Sequence, residues 1–428
     1  MELSAPKEGR GRKGDAMKER LFPKPAIETK HRTGMLGAHF DCFIKWMQER
    51  EYAYESMRYN IQRITNFAGY LRRRGIRSVE QLEGAEGMEL LIAYQKYCKR
   101  KGYSDRSSSI RLYLQALREA GVLSGSPPDR TPAFRKFQAY LSFLKNRKGL
   151  SENTVRNHRY WVEKFLKFLS SQEGFSLTRV SIQDVDKFIL QGGGRYARST
   201  QQLIAGCLRG FFRFLYQSGK TDTDLSYLIA SPRCYKLASL PRVLTWEEVN
   251  KLLGHVDMST KAGLRNDAIL LILTTYGIRA GEVARLQLDD IDWKKETIRI
   301  IPGKTGRELL LPLMPRAGKA VLKYLKHARP ASKYREVFLL TCAPRRPLKS
   351  TNIRYVVARH IRLAGLDSPR QGPHLLRYSF ATHLLRSGAS LKEIGDMLGH
   401  RSPASTHVYT KTATEKLREV ALEIPEVK

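Results

Sequence analysis

The sequence lacks any apolar run near the roughly 18 residues needed to span a bilayer. Its longest apolar stretch, around Ala268 to Leu273, has the length of a core helix. Met1 is followed by polar and charged residues with no apolar h-region, so no secretory signal is read and a cytoplasmic location is expected. Cysteine is scarce. Its five copies (Cys42, Cys98, Cys207, Cys234 and Cys342) are odd in number, scattered and without a CxxC pair, which argues against a disulfide framework and a zinc site. Negative charge is short as well: 41 Asp and Glu stand against 76 Lys and Arg, a formal balance of +35. So large an excess implies a polyanionic partner, and without a membrane span nucleic acid is the leading one.

The 428 residues suffice for two to four domains with real cores. Residues 1–35 mix Gly, Pro and both charge signs without apolar periodicity and read as a flexible basic arm. From 36 to 123 the pattern is helical: Phe40, Phe43, Ile44 and Met47 fall at i, i+3, i+4 and i+7, and Ile64, Phe67 and Leu71 repeat the spacing. Residues 124–132, with three prolines, two serines and a glycine, mark a linker. A second helical unit, 133–232, resembles a copy of the first at a period near 100 residues. Phe137, Tyr140, Leu141 and Leu144 answer the first stripe, and Phe165 to Leu169 answer Phe67 to Leu71. Ser78 and Ser181 are each expected to open a helix by N-capping. Any two amphipathic four-helix units would align in part, so chance similarity is the alternative to duplication.

A weakly periodic, proline-containing stretch precedes the last unit, 243–428, where Thr245 to Glu248 is a capping-box sequence. Thr297 to Ile301 and Glu308 to Leu311 are short β-type runs around the turn residues 302–306, and predict a hairpin. Ser390 to Glu393 is another capping box, and Gly399 is expected to end that helix. In this unit Arg279 follows an apolar helix and a Gly277-Ile278 break, and Lys304 sits at the hairpin tip. His374 and Arg377 share a helical face at i, i+3, and His400 precedes Tyr409 by nine residues. Each residue alone has an ordinary structural explanation; their conjunction does not. His383 and Tyr378 read as structural. Asp289, Asp290 and Asp292 would suit a metal, but their place in a helix-to-strand turn favours backbone hydrogen bonding.

The strings at 276–282, 303–306, 374–383 and 398–409 together resemble the tyrosine recombinase (phage integrase) family in order and spacing. The resemblance covers Thr245 to the C-terminus, and Phe137 to Gly219 as the family's helical core-binding domain. Residues 36–123 resemble that domain more distantly and would be an additional copy. It implies a mainly α protein with a small β-sheet: helical N-terminal DNA-binding domains joined to a mixed α+β catalytic domain.

The implied chemistry is coherent. A Tyr hydroxyl of pKa near 10 is a poor nucleophile towards an anionic phosphodiester, so the site must supply positive charge and a proton acceptor. By resemblance, Tyr409 attacks, Arg279 and Arg377 clamp the non-bridging oxygens, and Lys304 protonates the leaving 5′ oxygen. His374 and His400 assist, and Glu282 supports the site. A 3′-phosphotyrosyl link would store the bond energy for rejoining, with no cofactor and no metal. The expected partners are double-stranded DNA and a homo- or hetero-tetramer on two DNA sites, with residues 412–428 docking on a neighbouring subunit, and no membrane. A mobile element is the expected beneficiary; an accessory member of a heteromeric recombinase set and a type IB topoisomerase-like relaxase are the rivals.

Overall fold

Apolar residues recurring at helical spacing bury one stripe per segment, and the protein is accordingly mostly helical with one small sheet. The computed structural model describes residues 21, 25–103, 107–123, 132–170, 177, 180–191, 196–233, 243–302, 308–366, 368, 371–399 and 406. The chain divides into two compact units, one of Ser126–Ala238 and one combining Met1–Gly125 with Ser239–Lys428.

The larger unit begins with α1 (Pro25–Arg32), α2 (Phe40–Gln48), α3 (Tyr54–Arg72), α4 (Gly84–Arg100) and α5 (Ser107–Glu119). Helix α1 falls inside the stretch expected to be a flexible arm. It is ordered because His31 is buried, with Nδ1 2.7 Å from Thr65 Oγ1, and Leu36 just beyond it is fully buried. The predicted stripe of Phe40, Phe43, Ile44 and Met47 is buried throughout. Both Phe rings meet the edge of Tyr113, whose hydroxyl donates to the Leu36 carbonyl. Ser78 does not open a helix as expected. The Gln81 side chain accepts from the Arg77 and Ser78 amides and closes a single 3₁₀ turn, Glu80–Leu82, so the long helix starts only at Gly84.

The smaller unit holds α6 (Pro132–Asn146), α7 (Glu152–Ser170), α8 (Ile182–Gln191) and α9 (Arg198–Gln217). Phe137, Tyr140, Leu141 and Leu144 are buried, as Phe40, Phe43, Ile44 and Met47 are, and pack around Phe165, Phe211 and Phe212. Here Ser181 does precede a helix, with Asp184 accepting from its amide and hydroxyl.

The rest of the larger unit runs α10 (Trp246–Gly254), α11 (Lys261–Tyr276), α12 (Ala280–Arg285), β1 (Ile291–Asp292), β2 (Thr297–Ile300), β3 (Leu309–Pro312), α13 (Pro315–His327), α14 (Ser350–Leu363), α15 (Pro373–Arg386) and α16 (Leu391–Met397). Both expected capping boxes form, Thr245 with Glu248 and Ser390 with Glu393. The sheet is antiparallel in the order β1-β2-β3, with Thr297 opposite Pro312 and Ile300 opposite Leu309. Strand β1 was not anticipated, since two residues are too few for an alternating pattern. Helix α11 is buried on nearly every side and forms the middle of the core, against α13 and α15. Among the described residues no helix is long and apolar enough to cross a membrane.

Candidate active site

The site grows from the way α11 ends. Gly277 takes a left-handed conformation (φ 59°) and its amide closes the helix on the Leu273 carbonyl. A Cβ there would overlap the Phe380 ring, so glycine answers both the backbone and the packing. The turn aims Ile278 into the core and delivers Arg279 to the start of α12. Buried Glu282 then does two things. One oxygen accepts from the Arg279 amide at 2.7 Å, and the other from its Nη1 at 2.9 Å. The same carboxylate thus caps the helix and fixes the guanidinium of a side chain that stays one-third exposed.

On α15, Arg377 is buried, and its guanidinium donates to two backbone carbonyls, Gly277 at 2.8 Å and Leu398 at 2.9 Å. It therefore ties the end of α11 to the end of α16. His374 lies one turn earlier. The residue keeps solvent exposure, yet packing takes water from the ring, and the charges of Arg377, Arg279 and Arg354 add to this. Together they hold the imidazole below its ordinary value, against a smaller opposing pull from Glu282.

That depression has a thermodynamic sign. Between the folded and unfolded pKa values the unfolded chain binds more protons, so stability rises with pH. The contribution is complete above the unfolded value near 6.5 and is lost as pH falls through the lowered folded value. His374→Gln is expected to flatten the dependence of melting temperature on pH below about 6.5 relative to the parent chain. Parallel melting curves for the two proteins across that window would contradict the assignment.

Lys304, His400 and Tyr409 lie outside the described residues, but their neighbours converge. Gly399, left-handed at φ 63°, packs against both ends of the hairpin: a Cβ on it would sit 3.2 Å from Leu309 Cδ1 and 3.4 Å from Pro302 Cγ. Thr406 is buried, and a Cβ on Gly395 of α16 would lie 3.1 Å from its hydroxyl. The segments leading into Lys304 and His400 thus start side by side, near the Leu398 carbonyl that Arg377 holds.

Sequence reading missed Arg354. It sits on α14 with no motif around it, and the packing of that helix on α12 and α15, together with its charge on His374, brings it to the site. His383 is not inert filler: its ring stacks on Trp246 of α10 at 4.4 Å and 9°. The acidic trio is occupied by protein donors. Asp289 pairs with Arg335, Asp290 with Arg299, and Asp292 accepts from the Lys294 and Lys295 amides.

The phage integrase family model matches residues 242–416, and the phage integrase N-terminal SAM-like domain model matches 137–219. A putative integrase/recombinase of Sinorhizobium fredii is 32% identical over 396 residues, covering 92% of this chain and 95% of that protein. The tyrosine recombinase XerD of Listeria monocytogenes is 34% identical over 288 residues, 66% of this chain and 95% of XerD. Among solved structures, the XerH site-specific recombinase bound to a palindromic difH substrate superposes with a TM-score of 0.53 at 23% identity, over 69% of this chain and 90% of that one. A lambda integrase dimer bound to a COC′ core site gives 0.52 at 17%, over 69% and 99%. These likenesses show the fold.

Proposed function

This chain belongs to the phage integrase family, and we propose that it cleaves and rejoins DNA at specific sites with Tyr409 as nucleophile. The family makes it a tyrosine recombinase, a DNA strand transferase. The observation that carries the catalytic reading is the meeting of Arg279, His374 and Arg377, drawn from two helix starts and pinned by Glu282 and two backbone carbonyls. Such a fixed pair of guanidiniums suits the charge that grows on a phosphorane, because it needs no reorganisation as the reaction proceeds. Tyr409 attacks the phosphorus, the 5′ oxygen leaves with a proton from Lys304, and the 3′-phosphotyrosyl ester keeps the energy for rejoining. His374 and His400 exchange protons or donate to phosphate oxygens, and the low basicity of His374 suits a group that must release its proton readily.

In this reading residues 133–232 and 243–428 are the core-binding and catalytic domains, and 36–123 is an extra DNA-binding domain. XerD of Listeria monocytogenes matches only 66% of this chain, which leaves room for such an addition. Basic residues at 72–74, 77 and 99–101 suit it to phosphate contact. The assembly is a tetramer on two sites, the setting the cytoplasm, and the substrate the DNA of a mobile element.

The test is a nicked suicide duplex incubated with the enzyme in excess EDTA and run on a denaturing gel. A covalent adduct is expected, because arginine and lysine supply the charge that metal ions supply elsewhere. A strict need for a divalent cation in the cutting step would overturn the mechanism. Strand exchange between two sites, as opposed to relaxation of supercoils alone, is the further outcome expected.

A further inference from the structure

We propose that Arg354 is a third phosphate-binding guanidinium of this site, taking the DNA phosphate next to the scissile one; this rests on the recombinase reading above. Helix α14 packs against both α12, which Arg279 precedes, and α15, which carries His374 and Arg377. Its Ile353 and Val357 are buried in the same core as Leu375 and Leu376. That packing leaves the next residue, Arg354, exposed at the rim, close enough for its charge to act on His374.

The three arginines differ in how their donors are used. Arg377 spends two on the Gly277 and Leu398 carbonyls, and Arg279 spends one on Glu282. Among the described residues Arg354 has no hydrogen-bonded acceptor and no carboxylate partner, and the one carboxylate acting on His374 is Glu282. An exposed guanidinium beside two other cations is electrostatically unfavourable in the free protein, and a bound polyanion reverses the sign. A planar, bidentate donor at that place fits a phosphate. Farther along the helix, Arg359 is exposed too, but its charge acts on buried His360 and is not among those acting on His374, so it serves as a comparison.

The experiment compares the parent chain with Arg354→Ala, Arg354→Lys and Arg359→Ala, by single-turnover adduct formation on a suicide duplex and by salt-dependent binding to an uncleavable duplex. Arg354→Ala is expected to slow adduct formation roughly 10- to 100-fold, the range for a lost charge-assisted bond. Its log–log salt slope should fall by about 0.9, one phosphate contact. Arg354→Lys should keep the slope and recover only part of the rate, and Arg359→Ala should leave the rate intact. Removing the charge should also move the His374-dependent limb of the pH–rate profile upward, which a merely structural role would not do. Unchanged rate and slope in Arg354→Ala would overturn the inference, as would a loss of rate matched by a loss of thermal stability that Arg354→Lys fails to separate. If the parent chain forms no adduct, the recombinase reading falls, while the salt slopes still decide whether Arg354 meets a phosphate.

Discussion

Replacing Tyr409 with Phe is expected to abolish the covalent protein–DNA adduct, by at least about four orders of magnitude, while leaving duplex affinity within about twofold. The substitution removes one oxygen and keeps the ring, so the packing of the surrounding segment has little reason to change. What is lost is the only group on that side chain that can bond to phosphorus. The charged groups that dominate affinity, Arg279 and the basic helices among them, remain in place. A suicide duplex traps the adduct for a denaturing gel, and a mobility shift on an intact duplex measures binding in parallel. An adduct persisting in the variant would move the nucleophile to another tyrosine. Loss of binding along with the adduct would mean that the tyrosine holds the fold of its segment and would leave the chemistry to be assigned afresh.

How much could be read in advance depended on whether a feature is local in the chain. The turn at Gly277 was legible because a helix stop, a left-handed residue and Arg279 follow one another directly. The boxes at Thr245 and Ser390 were legible because a capping side chain and its partner lie three residues apart. The hairpin was legible from two β-type runs, though its third strand, Ile291–Asp292, was too short to announce itself. Features set by tertiary packing were not legible. Nothing near Ser78 says that the Gln81 amide will outcompete a helix start, and nothing in residues 25–32 says that His31 will find Thr65. Arg354 is one of many arginines in sequence, and it is singled out by tertiary structure, through the packing of α14 beside α12 and α15 and the charge it brings to His374. The acid–base logic of the site shows the same divide: His374 and Arg377 are neighbours by helical spacing, but the carbonyls that hold Arg377 come from 100 residues before it and 21 after.

Those two carbonyls make Arg377 the residue whose replacement should separate folding from chemistry most clearly. In Arg377→Ala the Gly277 and Leu398 oxygens lose buried donors, at a cost of about 1–3 kcal/mol for each group left unsatisfied. The link between the ends of α11 and α16 goes with them, so both stability and activity should fall. Arg377→Lys is the sharper experiment. A single ammonium can satisfy one of the carbonyls but cannot reproduce a planar fork that serves both and still faces phosphate. About half of the lost stability should therefore return, while adduct formation stays roughly 10²–10³-fold below the parent, the scale of losing one preorganised donor to a developing negative charge. Urea unfolding gives the first quantity and single-turnover cleavage the second. If Arg377→Lys cleaves within tenfold of the parent, the guanidinium is chiefly a structural tie between α11 and α16, and the charge on the transition state must come from Arg279 and the segments leading to Lys304 and His400.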